Sequence, residues 1–167
     1  MSTIEEKISV IGKSLLAKRI KYELSNLKNS GIVNNYCDFI ITKNNKDGLN
    51  VKFISCRDNL LYNFIVPSNY PFSAPVLELN NKPYSYYLSF YFNNCKDMFH
   101  KYKGKKCFCC ETALYCNNWN HTFTFKDIIN EVNKFHKECR EITDNVIINV
   151  IKRKYLTDNI NILEWLH

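Results

Sequence analysis

Little in the composition supports a long linker, a leader or a membrane span. Glycine and proline occur only four times each in 167 residues, too few for extended flexible or proline-stiffened linkers. A chain of this length suits one domain. No apolar run approaches the roughly 20 residues that a bilayer-spanning helix needs. No block of Lys and Arg stands out either. The formal net charge is +7, but basic residues are scattered among acidic ones, the pattern of a solvated surface rather than of a nucleic-acid-binding stripe. The opening Met1-Ser2-Thr3-Ile4-Glu5-Glu6-Lys7 is polar and acidic and lacks the basic-then-apolar order of a secretory leader. These absences argue against a nucleic acid or a membrane as partner. They lead to an expected reducing, intracellular location, cytoplasmic or nuclear.

What is present is an ordinary globular composition, 46% hydrophobic and 23% charged, with enough apolar residues for a real core. Eight cysteines are many for this length. In a reducing compartment they read as buried hydrophobes, metal ligands or a reactive thiol.

The periodicities predict an α+β domain. Ile8, Ile11, Leu15, Leu16, Ile20, Leu24 and Leu27 recur at helical spacing, so a helix is expected over Ile4 to Leu27, stopped by Asn29-Ser30-Gly31. Three strands should follow: Tyr36 to Thr42, Leu49 to Cys56 and Leu60 to Val66. Asn44 to Gly48 and Arg57-Asp58-Asn59 would turn the chain between them. A loop, Ser68 to Pro75, leads into a fourth short strand, Val76 to Leu79. Short links make this an antiparallel meander of four strands. Asn80 to Asn118 shows little periodicity and holds five of the cysteines; an irregular stretch of that length is often functional. Phe125, Ile128, Ile129, Val132, Phe135, Cys139 and Ile142 then form one apolar stripe, an amphipathic helix over Thr124 to Ile142. Thr143-Asp144-Asn145 reads as the cap of a further helix from Val146, and Tyr155 to His167 as another short one. The expected organisation is a core of residues 1–143 with a C-terminal helical extension, 144–167, of the same domain. Cys37, Cys56 and Cys139 fall on strand or helix patterns and are expected to be buried.

Three segments together resemble one known family. Lys18-Arg19-Ile20-x-x-Glu23-Leu24-x-x-Leu27 resembles the first helix of ubiquitin-conjugating enzymes. Phe64-x-Val66-Pro67-x-x-Tyr70-Pro71-Phe72-x-x-Pro75 resembles that family's turn between the third and fourth strands. Cys107 through Trp119 to Thr124 resembles its active-site segment, a cysteine followed by a tryptophan and then a helix. The resemblance covers about residues 15 to 143 and is loose between the segments. It implies that family's fold and an acyltransferase that uses no cofactor and no metal. Such an enzyme accepts ubiquitin or a ubiquitin-like protein from an activating enzyme as a cysteine thioester, then delivers it to a lysine amine with a ligase as partner. The alternative is a catalytically silent variant that only binds ubiquitin or a partner enzyme.

The resemblance implies a cysteine nucleophile and leaves two alignments open. Gly104-Lys105-Lys106-Cys107-Phe108 matches the family's glycine, two residues, cysteine and apolar residue. Cys110-Glu111-Thr112-Ala113-Leu114 matches the cysteine with a leucine four residues on, and needs fewer inserted residues before Trp119. Departures accompany both. The family's His-Pro-Asn is missing; Phe90-Tyr91-Phe92-Asn93-Asn94 places Asn94 where an oxyanion-holding asparagine would fall, or else Asn94 caps a loop. Asn120-His121-Thr122 stands where Ser-Pro-Ala often helps meet a ligase, and the hairpin at Arg57-Asp58-Asn59 is short. Asp144 lies where the family often carries an acidic residue near the cysteine, able to orient or deprotonate the attacking amine; as a helix cap it needs no such role. Lys18, Arg19 and Lys21 are available to an activating enzyme or ligase, or form a solvated face. A rival reading of the cysteines is a zinc site drawn from Cys95, His100, Cys107, Cys109 or Cys110, and Cys116, although Cys107-x-x-Cys110 is the only paired spacing.

Overall fold

The computed structural model describes residues 14–34, 39–44, 47–89 and 110–155. Its order is helix α1 (Leu15–Asn29), strands β1 (Ile40–Lys43), β2 (Leu49–Ile54), β3 (Leu61–Val66), β4 (Val76–Leu79) and β5 (Lys82–Pro83), and helix α2 (Phe125–Tyr155). Residues 84–89 are also helical. This is an α+β chain whose strands form one antiparallel meander in the order β1-β2-β3-β4-β5.

Both ends of α1 follow from local chemistry. The Ser14 hydroxyl accepts from Ala17 N at 3.1 Å, an N-cap. Gly31 adopts φ +66, and its N–H and that of Ile32 close back on Lys28 and Leu27, the left-handed glycine stop of a helix. On β2 and β3 alternate residues face inward, and register pairs Val51 with Phe64 and Phe53 with Tyr62. These residues share one cluster with Ile20, Leu24 and Leu27 of α1 and with Phe125, Ile128 and Val132 of α2. A run of aromatic rings crosses that cluster. Phe39 meets Phe53 at 5.5 Å, Phe53 meets Phe64 at 6.1 Å, and Phe64 stacks on Phe125 at 4.1 Å. The run continues from Phe125 to Tyr70 at 5.8 Å and from Tyr70 to Trp119 at 6.1 Å. Each such buried ring contributes about 1.5–3 kcal/mol by leaving water.

The sheet has five strands where the sequence predicts four. Asn80 and Asn81 both take positive φ, 49 and 63, and this two-residue turn folds Lys82–Pro83 back onto β4. The stretch read as irregular from Asn80 therefore begins with a strand and a helical segment. The first strand is described over Ile40–Lys43; residues 35–38, with the predicted start of that strand at Tyr36 and Cys37 among them, lie outside the described residues, as do residues 1–13, where the predicted first helix begins, and the tail from 156. Cys56 is exposed, not buried. It falls beyond β2, and by strand parity Ser55 takes the inward place. Cys139 is buried as expected.

The first two of the three predicted C-terminal helices are one continuous helix, Phe125–Tyr155. Thr143 and Asn145, read as caps, bond backward instead: Thr143 Oγ1 donates to Cys139 O at 2.9 Å and Asn145 Nδ2 to Glu141 O at 2.8 Å. Both side chains thus serve carbonyls one turn earlier, which leaves the helix unbroken. Asp144 is consequently an exposed mid-helix residue, not a cap, and no helix boundary falls at 143/144. No described helix is long and apolar enough to cross a membrane.

The polar centre of the fold is Glu23, a fully buried residue. Its carboxylate accepts from Tyr70 Oη at 2.8 Å and from Phe125 N at 2.9 Å, and pairs with Arg19 Nε at 2.8 Å. Arg19 Nη2 also donates to Phe123 O at 3.0 Å, so this residue faces inward rather than presenting itself to a partner, unlike Lys18 and Lys21, which are exposed. Burial pushes the Glu23 carboxyl above its ordinary pKa, against the bonds from Phe125, Tyr70 and Arg19, which pull it down. Replacing Glu23 with alanine would orphan two buried donors. Urea unfolding of Glu23→Ala is expected to show a loss of about 2–5 kcal/mol. The sign of the pH effect follows from the raised pKa. Between the ordinary value of 4.5 and the raised one, the folded state holds the extra proton, so this group's contribution grows as pH falls and fades as pH rises through the raised pKa. The stability margin of wild type over Glu23→Gln should therefore widen toward pH 4.5; a margin that narrows would contradict the buried-carboxyl account.

Candidate functional site

Two anchors fix the segment from Cys110 to Thr124. At its far end, the Trp119 indole Nε1 donates to Pro71 O at 2.7 Å. The Pro71 loop, whose Tyr70–Pro71 peptide is cis, is braced by hydrogen bonds: Phe72 N donates to Asn69 O at 2.9 Å, Asn69 Nδ2 donates to Ser73 Oγ at 2.7 Å, and the Tyr70 hydroxyl ends on Glu23. Burial and the neighbouring Glu23 raise the Tyr70 pKa, so it remains a neutral donor. At the near end, Thr112 Oγ1 donates to Glu131 Oε1 and Ala113 N donates to Glu131 Oε2 at 2.7 Å. Glu131 stands two turns into α2. The start of that helix is set by a reciprocal cap, in which Thr124 Oγ1 donates to Asp127 Oδ2 at 2.7 Å while Asp127 N donates to Thr124 Oγ1 at 3.3 Å.

Between the anchors the chain turns on itself. Tyr115 N donates to Thr112 O at 3.1 Å and Trp119 N to Tyr115 O at 3.1 Å. Asn118 Nδ2 donates to both Cys110 O at 2.8 Å and Thr112 O at 3.0 Å. Cys110 is exposed at the head of this turn, and Cys116 is exposed within it, its thiol donating to Asn117 Oδ1 at 3.6 Å. Next to the Trp119–Pro71 bond, Phe72 is 78% exposed, with its ring 6.4 Å from that of the exposed His121. An exposed thiol on a loop held at both ends is accessible to a large reactant.

Of the four residues singled out in the sequence, Cys110 and Asp144 are described; Cys107 and Asn94 lie outside the described residues, as do Cys95, His100 and Cys109. Cys110 and Asp144 are not brought together. The Cys110 segment is tied to α2 at Glu131, and from Glu131 to Asp144 the helix rises about 20 Å. Asp144 instead lines a groove with Cys56, Arg57, Asp58, His136 and Arg140. There burial lowers the His136 pKa, with Asp58 opposing and Arg140 reinforcing the shift. The acidic role read for Asp144 presupposed a helix ending at 142, and the helix does not end there. Among the described residues no three His, Cys, Asp or Glu side chains are grouped to hold a metal ion. Sequence reasoning missed Glu131, whose only signal is a single carboxylate at the edge of an apolar stripe. It also missed Asn118, whose two amide donors are committed to backbone carbonyls.

Compared with models of protein families, with curated proteins and with solved structures, the chain finds no match.

The Trp119 anchor is open to direct measurement. Trp119→Phe keeps an aromatic ring but loses the indole N–H, leaving the half-buried Pro71 carbonyl without that donor. Urea unfolding should show a loss of about 1–3 kcal/mol; an unchanged midpoint would mean that the bond to Pro71 does not form in solution.

Proposed function

We propose that this chain is a divergent ubiquitin-conjugating enzyme with that family's fold, working in the intracellular, reducing setting its cysteines suit. It accepts ubiquitin or a ubiquitin-like protein from an activating enzyme as a cysteine thioester and passes it to a lysine amine. One observation carries the reading: the three segments that resemble the family interlock physically. Glu23 of the first segment takes the Tyr70 hydroxyl of the second and the N–H of Phe125, the residue after the third, and Trp119 of the third bonds Pro71 of the second. That the three segments meet at one junction supports reading them as parts of one motif. The exposed Cys110 stands on the loop they hold.

The chemistry balances as two acyl transfers. The cysteine thiolate attacks the carbonyl carbon of the donor thioester; the new C–S bond forms, the old one breaks, and the activating enzyme's thiolate leaves. A neutral lysine amine then attacks the new thioester, the C–S bond breaks, an isopeptide bond forms, and the amine's proton passes to solvent or a base as the thiolate is regenerated. Each tetrahedral intermediate carries an oxyanion that needs a hydrogen-bond donor. Asn118 has spent both amide hydrogens on Cys110 O and Thr112 O, so Asn94, Asn117 or a backbone N–H fills that role. Phe72 and His121, side by side on the rim, form the surface offered to a ligase.

Incubation with an activating enzyme, ATP and ubiquitin should give an adduct on a non-reducing gel that reductant removes. One of Cys110→Ala and Cys107→Ala should abolish it and the other retain it. Asn94→Ala should charge normally yet discharge to free lysine about a hundredfold more slowly. Asp144→Asn, remote from Cys110, should discharge within about twofold of wild type. No adduct with a panel of activating enzymes and modifiers would favour the silent, ubiquitin-binding alternative, and charging retained in both cysteine variants would remove the assignment to this pair.

A further inference from the structure

We propose that Glu131 is a positioning residue for Cys110, acting through the backbone that carries the thiol. The inference rests on the transferase reading with Cys110, of the two candidate cysteines, as the nucleophile, and names a residue to which the family resemblance gives no role. Three observations lead to it. First, Cys110 is exposed, and the described residues that follow it, 111–124, form neither helix nor strand, so side-chain bonds fix their course. Second, both oxygens of one carboxylate are spent on the residues that follow it, Oε1 on the Thr112 hydroxyl and Oε2 on the Ala113 N–H. Third, Thr112 is a hub as well as a partner of Glu131. Its Oγ1 accepts from Leu114 N at 3.2 Å, and its carbonyl accepts from Asn118 Nδ2, the same nitrogen that holds the Cys110 carbonyl. Glu131 thus ties the whole turn to a rigid helix, and through Asn118 the constraint reaches the peptide of Cys110 itself.

The consequence is kinetic. A thiol held in place meets the incoming thioester carbonyl in a near-attack geometry, whereas one on a loose loop must be ordered in each transition state. Misplacement on the order of 1 Å can cost about a hundredfold in rate. Because Glu131 works from behind the loop, its loss should lower the rate of transfer without weakening encounter with the donor. Glutamine should serve nearly as well as glutamate: its oxygen can accept from Ala113 N, and its amide can donate to Thr112 Oγ1, so the two contacts survive without the charge.

The test compares wild type, Glu131→Ala, Glu131→Gln and Thr112→Val in the full chain. Charging from the ubiquitin-loaded activating enzyme gives kcat and KM separately. Alkylation by iodoacetamide, followed peptide by peptide, gives the reactivity of Cys110 against the exposed Cys56 as an internal reference. Positioning predicts that Glu131→Ala lowers kcat by about tenfold or more with KM within about twofold. It also predicts a Cys110 to Cys56 reactivity ratio shifted by about threefold or more as the loop opens locally. Glu131→Gln should restore most of both, and Thr112→Val, which keeps the Ala113 bond and guards against simple unfolding of the alanine variant, should fall between. An unchanged ratio in Glu131→Ala, a kcat within about twofold of wild type, or a glutamine variant no better than alanine would each overturn the proposal. If wild type never charges, the transferase reading fails, and if it charges at Cys107, kcat no longer reports on Cys110; in either case the alkylation ratio alone decides whether Glu131 positions Cys110.

Discussion

Glu23 is buried among apolar side chains, yet it joins Arg19, one turn earlier on α1, to partners from two distant parts of the chain: Tyr70 in the loop before β4 and Phe125 at the first turn of α2. A carboxylate taken out of water has a large desolvation cost, offset only when its lone pairs are met. That requirement makes the node restrictive. α2 can begin only where its N–H meets Glu23, and the Tyr70–Pro71 loop can lie only where its hydroxyl does so. The location at a helix N-terminus helps, because the exposed N–H groups there favour negative charge. The stacking of Phe64 on Phe125 and the contact of Phe125 with Tyr70 then lock the apolar side of the same junction.

The candidate site inherits its position from that junction. Once Tyr70–Pro71 and the start of α2 are placed, the Pro71 carbonyl is available to Trp119 and the Glu131 carboxylate is available to Thr112 and Ala113. The loop between therefore needs no secondary structure of its own to be ordered. It is held by side-chain bonds at both ends and by the Asn118 amide across its middle. Such an arrangement suits a reactive thiol that must stay accessible while its backbone stays put.

Much of the architecture was legible in periodicity. The inward alternation of Val51 and Phe53, the helical stripe of Ile20, Leu24 and Leu27, and the stripe from Phe125 to Ile142 all read correctly, because burial of one face imposes a period on the sequence. What failed to read depended on side chains whose role is set by tertiary context. Thr143 and Asn145 have the composition of a cap but bond back to α2, so one helix looked like two. Asn80-Asn81 adopts a tight hairpin that residue type alone signals weakly, so β5 was missed. Cys56 follows β2 in sequence but has passed beyond its ladder. The site was legible only in part: the Tyr70 to Pro75 loop and Trp119 stood out as aromatics and prolines in a set order. Glu131 and Asn118 act through distant or backbone partners, and no spacing rule announces them. Asp144 was read through a helix boundary that does not exist.

The most direct test of the account is to locate the acyl adduct on the chain. After charging with an activating enzyme, ATP and ubiquitin, non-reducing digestion and peptide mass spectrometry would assign the modified cysteine. The account predicts a reductant-labile ubiquitin remnant on the peptide that carries Cys107 and Cys110. A remnant on Cys56, or on Cys116 alone, would contradict it.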